Sequence, residues 1–144
     1  MKTPYALAAL IVGAGPYLAI HAAPVSHVCP TSIPETSIHV IAPGQEWKPF
    51  VASPMYLSGA APADGPPELK GVLRERHAAT TKAGTVQTYS LNGPYPDGKW
   101  LRCDYGAYGE MSLATRLPDD TRECTITRQK GEHAGEHRVA VQCR

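Results

Sequence analysis

Residues 99–124 read KWLRCDYGAYGEMSLATRLPDDTREC, and the fold turns on this stretch. Leu101, Cys103 and Tyr105 alternate with Trp100, Arg102 and Asp104, the period of a half-buried β-strand. Gly106 to Glu110 supply a turn. Met111, Leu113, Thr115 and Leu117 then alternate with Ser112, Ala114 and Arg116, which predicts a second half-buried strand. Leu117-Pro118-Asp119-Asp120 ends it, because proline cannot donate to a ladder and the aspartates favour a turn. Cys124-Thr125-Ile126-Thr127 opens a third strand. The pattern predicts an antiparallel meander with a cysteine on its first and third strands.

The rest of the chain fits a small β domain. Its 144 residues suit one domain, and 13 glycines with 14 prolines favour short strands and many turns. Thr36 to Ile41 alternates Ile38 and Val40 with Ser37 and His39, which predicts a strand. Gln45 to Phe50 carries Trp47 and Phe50 through a less regular region. Met55-Tyr56-Leu57 reads as a short strand, and Gly59 to Pro67 as a loop too rich in breakers to continue it. Glu68 to Ala79 has Leu69, Val72, Leu73 and Arg76 at helical spacing, weakened by Gly71. Thr85 to Leu91 predicts a strand that a hairpin loop, Asn92 to Gly98, joins to Lys99. Gln129 to Gly135 turns into a last strand with Val139, Val141 and Cys143 inward. The expected fold is mainly β: an antiparallel sheet or sandwich-like domain of about six or seven strands, one short helix and two disulfides.

Residues 1–22 have the build of a secretory signal. Lys2 is followed by an apolar run from Ala6 to Ile20, and Ile20-His21-Ala22 suits signal peptidase. Residues 23–144 are then the exported domain, periplasmic or secreted, with no membrane span after processing. Loss of Lys2 brings the formal charge from +1 to zero. Neither charge nor pattern forms the basic stripe that nucleic acid requires. Four cysteines, Cys29, Cys103, Cys124 and Cys143, predict two bridges in an oxidising compartment, with three pairings open. Cys103 with Cys124 would pin strands of one sheet and Cys29 with Cys143 would tie the chain ends, so this pairing is favoured.

The chain resembles a family of small exported proteobacterial proteins of uncharacterised function. The marks are Cys29-Pro30, Leu57-Ser58-Gly59 with Gly65-Pro66-Pro67 and Leu69, Trp100-Leu101-Arg102-Cys103-Asp104-Tyr105, Leu117-Pro118 and Cys124. The resemblance spans residues 29–128. It implies a periplasmic protein with no known chemistry, and the secretion-system loci beside some such genes imply an inhibitor or immunity role.

No motif for a nucleophile, a paired-carboxylate site or a metalloprotease occurs, so the chain is expected to be non-enzymatic and without cofactors. His133 and His137 are four apart within Gly131-Glu132-His133-Ala134-Gly135-Glu136-His137. The glycines break the helical geometry that a metal pair needs, so a solvated hairpin tip and no metal site are expected. Trp100, Arg102 and Asp104, with Tyr95 and Tyr108 nearby, form the candidate binding surface, since Trp beside Arg has the composition of an interface hot spot. The competing assignment is a second core layer beneath the loop after Leu57.

Three functions suit these features. The first is a periplasmic binding protein, of inhibitor or immunity type, acting on a protein partner such as a cell-wall hydrolase or toxin. The second is a small carbohydrate- or peptidoglycan-binding module using the same aromatics, and the third a plain envelope structural protein. No oligomeric state is specified. Sequencing the N-terminus of periplasmic material should begin at Ala23; soluble protein retaining Met1 would refute export.

Overall fold

The computed structural model describes residues 25–144. In chain order the strands are β1 (Val25–His27), β2 (Ser32–Ile33), β3 (Met55–Asp64), β4 (His77–Thr81), β5 (Gly84–Ser90), β6 (Lys99–Tyr105), β7 (Met111–Arg116), β8 (Glu123–Lys130) and β9 (His137–Cys143). They form two antiparallel sheets, ordered β1-β9-β8-β5-β4 and β2-β3-β6-β7. The core lies between them. Tyr89, Ile126 and Val141 of the first sheet pack in one cluster with Leu57, Leu101, Cys103 and Tyr105 of the second. Mainly β with two disulfides is the observed class, with nine strands among the described residues instead of six or seven. The expected signal sequence, residues 1–22, lies outside the described residues.

The alternation in β6 is realised fully. Lys99, Leu101, Cys103 and Tyr105 are buried, and Trp100, Arg102 and Asp104 are half-buried on the other face. β7 pairs antiparallel with β6, Cys103 opposite Leu113. Its inward residues are covered only in part, however: Met111 packs against the core, while Leu113 is 43% exposed beside Val28 at 84%. β7 is the outer edge of its sheet, and alternation predicts burial only where a second layer lies opposite.

The meander is also broken. After Leu117, the turn at Pro118 carries the chain across to the first sheet, so β8 pairs with β5 and β9 and not with β7. Lys99 holds this crossing from within. Its buried ammonium donates to the carbonyls of Asp119 at 2.7 Å and Thr121 at 2.6 Å. The loop Asn92 to Gly98 is likewise a crossing between sheets and not a hairpin.

This topology overturns the favoured cysteine pairing. The disulfides are Cys29–Cys103 and Cys124–Cys143. Cys103 and Cys124 belong to opposing sheets, and packed sheets stand about 10 Å apart, farther than a disulfide spans. Cys124 instead lies directly opposite Cys143 across the β8–β9 ladder, with Cα atoms 4.1 Å apart. Cys103 points into the core, where Cys29 meets it from the link between β1 and β2.

Three local expectations fail for identifiable reasons. Thr36 to Ile41 finds no strand partner; a 3₁₀ turn, Glu35–Ser37, follows Pro34, and the chain continues as loop. Conversely, β3 runs through Gly59 and Pro62 to Asp64. β2 reaches only Tyr56, so one edge of β3 is free of ladder partners beyond that point and tolerates proline. Pro62 is fully buried opposite Leu101. The helix over Glu68 to Ala79 is replaced by a 3₁₀ turn, Pro67–Leu69, a left-handed Lys70 and the exposed strand β4. Gly71 sits where a Cβ would fall 2.0 Å from the Asp64 carbonyl oxygen, a close approach that no other residue allows.

Non-reducing peptide mapping should recover Cys29–Cys103 and Cys124–Cys143 peptides. The first bridge joins residues 74 apart and the second residues 19 apart. In the chain-entropy model these contribute roughly 4.5 and roughly 3.3 kcal/mol. Removing the first pair should therefore lower stability by about 1 kcal/mol more than removing the second, as read by denaturant midpoints.

Candidate functional site

Trp100, Arg102 and Asp104 share the outer face of β6, as alternation requires. Trp100 donates its indole N–H to the Asp97 carbonyl at 3.1 Å, which fixes the ring over the start of its own strand. Ala63 on β3 and Arg116 on β7 are its cross-strand neighbours. Arg102 Nε lies 2.9 Å from Asp104 Oδ1, out of line for a hydrogen bond, while Nη2 donates to Oδ2 at 3.3 Å. The Ser112 hydroxyl donates to the same carboxylate at 2.7 Å from β7. The two charges therefore satisfy each other, leaving this face polar and largely self-paired.

The other two candidates lie elsewhere. Tyr95 is packed against the core on the side of Lys99, whose ammonium stands 5.5 Å from its ring centre. Burial, and then the nearby Asp64 carboxylate, push its phenol above the ordinary value. Tyr108 stands fully exposed on the β6–β7 turn, beyond the far end of β6. The structure thus brings together three of the five residues.

The β8–β9 tip is built differently from a free hairpin end. The His133 ring stacks on Tyr56 of β3, with centroids 4.1 Å apart and planes 8° apart. The Glu136 carboxylate accepts from the backbone N–H groups of Glu132 and His133, each at 2.8 Å, and lies 2.8 Å from His133 Nδ1. Gly135, at φ +77°, presses against Ala107 so closely that a Cβ would come within 3.2 Å of its backbone. The tip is exposed, as expected, and one side of it also rests on the second sheet, beside a cleft of about 430 Å³ lined in part by Pro54, Met55, Tyr56 and Ala107. The ring nitrogen of His133 that faces the protein is engaged by Glu136. Among the described residues no three His, Cys, Asp or Glu side chains converge as metal ligands would.

Ile41, Trp47 and Phe50 form a third region, which lies outside the candidate surface drawn from the sequence. They stand exposed on the loop between β2 and β3. Its only sequence signal was two aromatics in a stretch with no regular period.

Residues 52–144 match the family model described as Type VI secretion system Tli immunity protein. No curated protein and no solved structure is matched by the chain. The match covers β3 to β9, and hence most of both sheets and the Cys124–Cys143 bridge.

The Glu136 carboxyl is held below its ordinary value of 4.5, first by the backbone N–H of His133 and then by the His133 side chain, against an opposing desolvation, with a lesser contribution from the N–H of Glu132. A depressed carboxylate contributes order above its unfolded value and loses it as pH falls through the folded one. An NMR titration should place the Glu136 midpoint below 4.5. His133→Ala should return it only part of the way, because the backbone donor remains.

Proposed function

The chain belongs to the Type VI secretion system Tli immunity protein family, and on that premise we propose that it neutralises a toxin in the periplasm by binding it. The family match over residues 52–144 is the observation that carries this function. The two disulfides support an oxidising compartment. A non-enzymatic role is supported by the site chemistry. Arg102 and Asp104 neutralise each other, the Glu136 carboxylate is committed to its own turn, and the buried Lys99 is spent on two carbonyls. Protection by binding asks only for a rigid scaffold and a complementary surface.

The toxin proposed is one that acts in the envelope, such as a cell-wall hydrolase. The outer face of β6, with Trp100 at its head, is one proposed contact. A half-buried indole flanked by a guanidinium can anchor a partner while neighbouring positions exclude water.

A tagged chain expressed in the periplasm of a toxin-producing strain should retain one protein at equal stoichiometry after washing. Retention on peptidoglycan sacculi with no protein partner would overturn the proposal in favour of a wall-binding module. Trp100→Ala should weaken the complex by at least about 2 kcal/mol, roughly thirtyfold. It should lower folding stability by less than the roughly 3–5 kcal/mol typical of a fully buried indole, as measured by thermal melts.

A further inference from the structure

Several large apolar side chains stand exposed together on the loop of residues 38–51. Ile41 is 94%, Phe50 87% and Trp47 63% exposed, and Val40 joins them at the surface. Exposed apolar residues so concentrated mark an interaction site more often than chance. The loop precedes the residues matched by the family model, so the match assigns it nothing.

Its backbone is as open as its side chains. The Trp47 N–H donates to the Gly44 carbonyl at 3.2 Å and closes a turn at the tip. Among the described residues this is the one backbone–backbone bond between His39 and Pro54. Two arms, residues 39–42 and 48–51, therefore carry peptide groups without backbone partners alongside large apolar side chains. Ile38 roots the first arm in the core, and Pro43, Pro49 and Pro54 restrict the backbone at intervals.

This combination selects the occupant. Inserting the arms into hydrocarbon would strand their N–H and C=O groups without partners, which a lipid surface cannot supply. His39, Glu46 and Lys48 form no basic cluster that would hold an anionic headgroup. A protein groove can bury the side chains and pair the peptide groups with its own backbone at once. Resting on the immunity function above, we propose that residues 38–51 are the anchor of the toxin complex. Ile41, Trp47 and Phe50 enter a concave apolar groove of the toxin, and the open arms pair with the backbone at its rim. The restricted loop loses little freedom on binding, which favours affinity.

The toxin need not be identified for the test. A strain deleted for this gene is challenged by its own parent and complemented with the wild-type chain, Ile41→Ser/Phe50→Ser, Phe50→Ser alone or Trp100→Ala. The wild type should restore survival. The double variant should lower survival by at least about thirtyfold, the loss expected of a hot-spot anchor, and the single variant by less. Both should melt as the wild type does, because the altered side chains are exposed. Full protection by the double variant would overturn the anchor while leaving the immunity function intact. Survival of the uncomplemented deletion strain would overturn the immunity function and the anchor with it. Wild-type protein that sediments with phosphatidylethanolamine–phosphatidylglycerol vesicles, when the double variant does not, would overturn it in favour of lipid. A wild-type dimer that the double variant fails to form would do so in favour of a second copy.

Discussion

The link between β1 and β2 is the point on which the two sheets depend. Within nine residues the chain leaves β1 in the first sheet and enters β2 in the second. Cys29 lies between them and is bonded to Cys103 in the middle of β6. One residue on, the buried Tyr105 hydroxyl donates to the Pro30 carbonyl at 3.0 Å. The Leu57 N–H then donates to the Thr31 carbonyl at 2.9 Å. A covalent bond and two hydrogen bonds thus fasten one short segment to the inner face of β6 and the edge of β3. Burial, and then the Asp104 carboxylate, raise the Tyr105 phenol above its ordinary value, so it remains a donor at physiological pH. The second bridge is local by comparison: it joins strands that a ladder already pairs.

Local periodicity was a sound guide wherever a strand has one covered face. In β6 every inward position expected from Leu101, Cys103 and Tyr105 is buried, and Val141 and Cys143 behave likewise in β9. What periodicity does not carry is the sheet to which a strand belongs. The turn after Leu117 has the same composition whether it returns to β7's neighbour or crosses the core, and the crossing is decided by Lys99 reaching two carbonyls from another strand. The cysteine pairing inherited that ambiguity. Breaker residues misled in the opposite sense. Pro62 reads as the end of a strand, yet it sits fully buried in one because β2 stops short and leaves that edge unpaired.

The candidate surface was legible only in part, for a related reason. Alternation placed Trp100, Arg102 and Asp104 on one face, and they do share it. Sequence spacing does not report that Arg102 and Asp104 would satisfy each other, or that Tyr95 would turn toward Lys99 and the core. The docked His133 tip depends on a contact between residues 56 and 133, which no local pattern encodes.

A domain this small tolerates an exposed apolar loop because its stability resides elsewhere. The core runs from Tyr89 and Ile126 to Leu101 and Tyr105, and the bridge at Cys103 holds the layers together without help from residues 39–51. Lengthening a loop between anchored ends adds little closure entropy, since that term grows only with the logarithm of its length. The ends here are well anchored, by Ile33 and Ile38 on one side and Leu57 on the other, all within the packed cluster. The loop is therefore free to keep a composition that the fold does not need. Large apolar side chains are unfavourable in water, and burial against a protein that also pairs the neighbouring peptide groups relieves this without stranding those groups. The same covalent frame that relieves the loop of any structural duty holds the proposed anchor in place.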